Sequence, residues 1–157
     1  MELPLKYGSI TQRLRLAPDV RAAVLAPLVP GAEGAGQRSA HRRPGGVLLL
    51  VAECPEGLGH HTFEEWMRDP GGLDGILARI RREFVIGGHK AAAVALAMKQ
   101  ATIYLVSSIP AELARSLGFV PFGDTQTALA AALRAVGPDP FVAVMPEGGS
   151  VLPAVAG

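Results

Sequence analysis

One cysteine, Cys54, in a chain of 157 residues excludes an internal disulfide and a cysteine-built zinc site. At a strand end it reads as a small apolar packing residue. Aromatic residues make up 5% and charged residues 18%, against 49% apolar, so Ala, Val and Leu must build one domain-sized core by close packing. No charge of either sign dominates. The net charge of +1 excludes a nucleic-acid binder that works by neutralising many phosphates, and the only basic cluster, Arg38, His41, Arg42 and Arg43, reads as a solvated linker. Long hydrophobic runs are missing too. Val47 to Ala52 and Ala91 to Met98 fall well short of the roughly 18 residues that cross a bilayer, and the opening MELPLKYGS lacks a secretory pattern. The expectation is a cytoplasmic protein with neither membrane nor nucleic acid as partner.

What is present changes in texture along the chain. Up to Arg43 the sequence carries Pro4, Pro18, Pro27 and Pro30, then a Gly/Ala/Ser/Arg passage with no structural period. Gly8 to Leu16 alternates as a strand, and Val20 to Leu25 suits a short strand or a helical turn. From Pro44 onward, apolar strands alternate with helical patterns. The predicted fold is α/β: a Rossmann-like open, mainly parallel sheet flanked by helices, one domain preceded by a short β-rich N-terminal segment. The predicted division is residues 1–30 for that segment, 31–43 for a junction and 44–157 for the α/β domain.

Val47 to Ala52, continuously apolar and bounded by glycine, predicts a strand buried on both faces. Thr62 and Glu65 have the spacing of a capping box opening a helix. Leu73, Ile76, Leu77, Ile80 and Phe84 then share one helical face, which Gly87 and Gly88 end or turn. Lys90 to Gln100, apolar on nearly every side, predicts a buried helix, and Thr102 to Val106 a strand. Ser108 can cap the next helix, with Pro110 in its first turn and Gly118 as its stop. Asp124 or Thr125 caps another, which sets Leu129, Ala132, Leu133 and Val136 inward and ends at Gly137. Phe141 to Met145 predicts the last strand.

Three turns hold the chemistry-bearing side chains. Glu53 to His61 follows the first strand of the α/β region, where an open sheet places ligands, yet it lacks the Gly-x-Gly-x-x-Gly of a dinucleotide site. His60 and His61 are adjacent and should point apart, so no metal site is assigned. Gly87, Gly88, His89 and Lys90 precede a helix whose free amides favour anions; alternatively the glycines permit a sharp turn and His89 caps the helix. Gly149 and Ser150, in Glu147 to Ser150, follow the last strand. These turns nominate Gly87, Gly88, His89, Lys90, Glu53, Gly149 and Ser150 as ligand-contacting residues. Trp66 reads as a core or interface residue, and no Ser/His/Asp or Cys/His set has support.

RPGGVLLLVAECPEGLGHHTFEEWM (Arg43 to Met67), REFVIGGHKAAAVAL (Arg82 to Leu96), IYLVSSIPAELARSLGF (Ile103 to Phe119) and VMPEGGSVLP (Val144 to Pro153) together resemble the C-terminal domain of the nickel-dependent lactate racemase family. The resemblance covers roughly two thirds of the chain. Residues 2–30 resemble, more weakly, the opening strands of that family's N-terminal domain, as if the beginning of a family protein were joined to its end. The family interconverts D- and L-2-hydroxy acids by moving a hydride to and from a nickel-pincer nucleotide held on a lysine. Paired histidines serve as acid and base there.

The histidines, attachment lysine and nickel ligand of the family belong to a middle portion with no counterpart here. A Tyr-Gln-x-x-Lys-Gly segment, thought to hold substrate, has as its counterpart Val29 to Gly34, which reads Val-Pro-Gly-Ala-Glu-Gly. The resemblance therefore implies a shortened isomerase relative with no catalytic residue of its own and no cofactor on this chain alone. It could otherwise complement a separate N-terminal half, or bind a small ligand or anion. The expected partner is a family N-terminal domain or a second copy.

Overall fold

The computed structural model describes residues 21–26, 46–138 and 140–145. Its strands are β1 (Arg21–Ala26), β2 (Gly46–Val51), β3 (Ala101–Val106), β4 (Val120–Phe122) and β5 (Phe141–Met145). The helices are α1 (His61–Met67), α2 (Gly72–Arg82), α3 (Gly88–Met98), α4 (Ala111–Ser116) and α5 (Thr125–Val136). They form an α/β fold around one five-stranded sheet of order β4-β3-β2-β1-β5. β2, β3 and β4 are parallel neighbours, while β1 pairs antiparallel with both β2 and β5. Arg21–Ala26, which the sequence places in the N-terminal segment, thus lies inside the sheet. The predicted strand at Gly8 to Leu16 and the Arg38 to Arg43 cluster lie outside the described residues.

Successive strand residues face opposite sides of a sheet, so the unbroken GVLLLV of β2 demands cover on both. On one side Leu48, Leu50, Ile103 and Leu105 meet Trp66, Ile76, Ala91 and Ala95 of α1, α2 and α3. On the other, Val47 and Leu49 meet Ala128, Ala132 and Val136 of α5. Five buried alanines or glycines on α3 (Gly88, Ala91, Ala92, Ala95, Ala97) let that helix lie close to α1, α2 and β3. Burying each large side chain such as Leu48 or Ile103 contributes about 1.5–3 kcal/mol.

Several local expectations give way to tertiary context. The capping box does not form: α1 starts at His61, and His60 is the cap, its Nδ1 accepting the Thr62 amide at 3.2 Å. Thr62 lies two residues past the cap position and is buried, and Glu65 pairs with Arg79 at 3.0 Å. Phe84 leaves the α2 face because Glu83 is extended (φ −141°, ψ 136°). Gly87 and Gly88 do not end α2 but start α3.

Ser108 does not cap α4. Pro110 occupies that position without a side-chain bond, just ahead of the first turn, and the Ser108 amide donates to the Glu53 carbonyl at 2.9 Å. Asp124 does cap α5, accepting from the Thr127 amide at 2.8 Å and its hydroxyl at 2.7 Å. The buried stripe of α5 is Ala128, Ala132 and Val136, whereas Leu129 and Leu133 are 36% and 39% exposed. Small residues let the helix approach the sheet, and the leucines are displaced to its flank.

Candidate functional site

The carboxyl ends of the parallel strands meet at one edge. There the Ala52 amide donates to the Val106 carbonyl at 3.0 Å, and the Ser108–Glu53 bond ties the next residues of both exits together. The chain then turns through Cys54 (φ 53°) and Gly57 (φ 67°), closed by the Gly57 amide on the Cys54 carbonyl at 2.9 Å. Positive φ at a non-glycine residue is uncommon. It bends the β2 exit back to deliver His60 to the start of α1.

α3 comes to the same edge. A helix of 11 residues leading through Lys99 and Gln100 into β3 must run back along the sheet, so its N-terminus lies where β3 ends. Gly87 opens it at φ 93°, and a β-carbon there would sit 3.0 Å from His60 Nδ1 and 3.1 Å from Thr62 Cβ. At Gly88 a β-carbon would lie 2.6–2.8 Å from three indole atoms of Trp66, a side chain with no exposure. The two glycines therefore form a packing joint between α3 and α1, which is why only glycine fits. Of the two readings its sequence allows, core or interface, Trp66 takes the core one.

Around the joint, His89 stacks on Phe84 with ring centroids 5.5 Å apart, and its Nδ1 is buried without a hydrogen-bond partner among the described residues. It does not cap α3, whose cap position is Gly87. The amides of His89, Lys90 and Ala91 donate to the Val85 and Gly87 carbonyls at 3.3, 3.1 and 3.2 Å, so these three donors are engaged within the chain. Phe84 and Ile86 project outward, 75% and 70% exposed. Of the residues nominated from sequence, Glu53, Gly87, Gly88, His89 and Lys90 share this edge; Gly149 and Ser150 lie outside the described residues.

Sequence reasoning missed Phe84 and Ile86 because a helical period assigns Phe84 inward. It also separated the imidazoles of His60 and His61, which instead stack at 4.7 Å. His60 Nδ1 is occupied by the Thr62 amide, and no three of His, Cys, Asp or Glu converge as metal ligands among the described residues. Among the described residues no set fits the nickel-bearing cofactor. Beside the joint, Arg79 stands over Trp66 at 4.5 Å from the ring centroid. Its hydrogen bonds to Glu83 at 2.6 Å and Glu65 at 3.0 Å raise its pKa, favouring the charged form that the ring face attracts.

An open α/β sheet with its strand-exit turns gathered at one edge defines this molecule as a Rossmann-like domain. Residues 32–153 match the family of the lactate racemase C-terminal domain, and the chain belongs to that family. Among solved structures it is similar to the lactate racemase apoprotein from Thermoanaerobacterium thermosaccharolyticum, with 30% identity and a TM-score of 0.61. That likeness covers 71% of this chain and 28% of the racemase chain, so the present chain spans under a third of that enzyme's length. No curated protein matches the chain. Among the described residues no helix is long and apolar enough to cross a membrane.

Proposed function

We propose that this chain serves as the C-terminal, cleft-forming domain of a lactate-racemase-type system and does not racemise lactate by itself. The observation that carries this reading is the match of residues 32–153 to the lactate racemase C-terminal domain family. The rim supports it. Exposed Phe84 and Ile86 stand beside the Gly87–Gly88 joint, an apolar lip suited to a second protein surface. In this reading the catalytic acid, base and cofactor attachment come from an N-terminal domain facing the lip. A small-anion role for Gly87 to Lys90 draws less support, because the His89, Lys90 and Ala91 amides are bonded within the chain.

The deciding assay supplies the purified chain with L-lactate and mature nickel-pincer nucleotide. No D-lactate should form above a protein-free control, and any reproducible excess would overturn the proposal. Mixing in a separately produced racemase N-terminal domain should raise D-lactate formation if the chain completes a split enzyme. An unchanged rate would remove that role.

A further inference from the structure

The corner where α1 meets α3 has a second property, set by the protonation of one ring. His60 holds the cap position of α1, and its Nδ1 lies 3.2 Å from the Thr62 amide. A backbone N–H can only donate, so Nδ1 is the acceptor and carries no proton, which fixes the hydrogen of the neutral ring on Nε2. An imidazolium bears a proton on both nitrogens and accepts nothing. Ser, Thr and Asn keep their acceptor at any pH, whereas histidine loses it within the physiological range.

The neighbours of the ring oppose its charged form. The Thr62 amide would face another donor at hydrogen-bond distance. His61 stacks on the ring with centroids 4.7 Å apart, so two imidazolium charges would adjoin, and both stand at the positive end of the α1 dipole. Gly87 abuts the Nδ1 edge so closely that a β-carbon there would come within 3.0 Å of Nδ1. The other titratable or charged groups at this corner are Glu53 and Glu56 on the β2 exit, Glu64 on α1, and His89 and Lys90 on α3. Among the described residues no carboxylate is hydrogen-bonded or ion-paired to either ring; Glu64 is held by Arg68 at 2.8 Å. Both imidazoles are exposed, so a charged ring can leave for water without crossing the core.

We infer that His60 is a proton-operated catch on the α1–α3 joint. Neutral, it caps α1 and holds the chain against Gly87; protonated, it swings into solvent, releases the Thr62 amide and loosens the seat of α3 on Trp66. Because the neutral ring is the one bonded in the folded chain, the catch contributes fully on the alkaline side and is lost as pH falls through the imidazole range. It needs neither cofactor nor partner domain and so stands apart from the racemase reading.

Trp66 is the single tryptophan of the chain and lies against Gly88, so its fluorescence reports on the joint directly. The test follows acrylamide quenching of Trp66 in the full chain from about pH 8 to about pH 5, the range in which imidazole titrates, together with the hydrogen-exchange protection factor of the Thr62 amide. Quenching should rise and protection should fall by about fivefold, the equilibrium worth of a helix cap, both along one sigmoid. His60→Asn and His60→Asp, whose caps do not change over this range, should each flatten both curves, and their thermal midpoints at the alkaline end would verify that they fold. His89→Gln should leave the wild-type transition in place, which separates His60 from the imidazole stacked on Phe84. A wild-type profile without a transition, one that persists in both His60 variants, or one abolished by His89→Gln would overturn the inference.

Discussion

At the scale of single residues, Gly88 has the most to explain. Inside an exposed helix, replacing glycine by alanine stabilises by about 1 kcal/mol. At Gly88 the added carbon would meet the indole of Trp66 at 2.6–2.8 Å, and Trp66 has no exposure into which to retreat. Overpacking of this kind costs about 1–3 kcal/mol, so the sign reverses. Gly88→Ala is expected to lower the chemical-denaturation midpoint with little change in slope; an unchanged or higher midpoint would show that the α1–α3 joint is looser than its geometry. Ala93→Gly, on the same helix, should show the ordinary propensity loss, separating the clash from helix propensity.

Elements obey the same logic of local preference against packing. α1 has a serviceable Thr-x-x-Glu signal, yet the chain enters it from the β2 exit at an angle that brings His60 to the cap. At α5 nothing competes, and Asp124 caps as its sequence suggests. The Thr127 amide and hydroxyl both donate to that carboxylate, holding the Asp124 pKa below its ordinary 3.8. Because the folded pKa is the lower one, the cap's contribution is complete above the unfolded value and disappears as pH falls through the folded one. Asp124→Ala should therefore lower the thermal midpoint at neutral pH, and its deficit should close as acid protonates the wild-type carboxylate. Asp124→Asn, which still accepts the Thr127 amide, should recover part of the midpoint. A deficit independent of pH into strong acid would remove the charge from the explanation.

For the whole molecule, the edge that gathers Glu53, His60, Phe84 and Gly87 matters more than any single side chain. Phe84 and Ile86 are 75% and 70% exposed, and each would contribute about 1.5–3 kcal/mol if covered by a partner. A second copy is one available cover, and the chain is expected to self-associate in sedimentation velocity. The Phe84→Asp, Ile86→Asp double variant should weaken that association by roughly a hundredfold or more while leaving the far-ultraviolet circular dichroism unchanged. A wild-type chain that sediments as a monomer at all concentrations, or a variant that associates equally well, would count against a partner-covered lip.

Periodicity alone determined much of this protein. The two-faced burial of β2 follows from an unbroken apolar run, the buried α3 from its alanines, and the ends of α4 and α5 from Gly118 and Gly137, because these signals are read within a few residues. The motifs from Arg43 to Pro153 carried the family as well. Tertiary structure alone decided that Arg21–Ala26 pairs between β2 and β5, that His60 rather than Thr62 caps α1, and that Leu129 and Leu133 turn aside while alanines face the sheet. It also decided the role of Gly87 and Gly88, which a sequence offers equally as an anion-binding turn and which the fold uses to seat α3 on Trp66. Each of those outcomes depends on how closely two distant segments approach, a distance that no local pattern encodes. The few sulfur, aromatic and charged groups with which the chain began leave packing of small residues as its main resource, and only the folded arrangement shows which faces that packing leaves open.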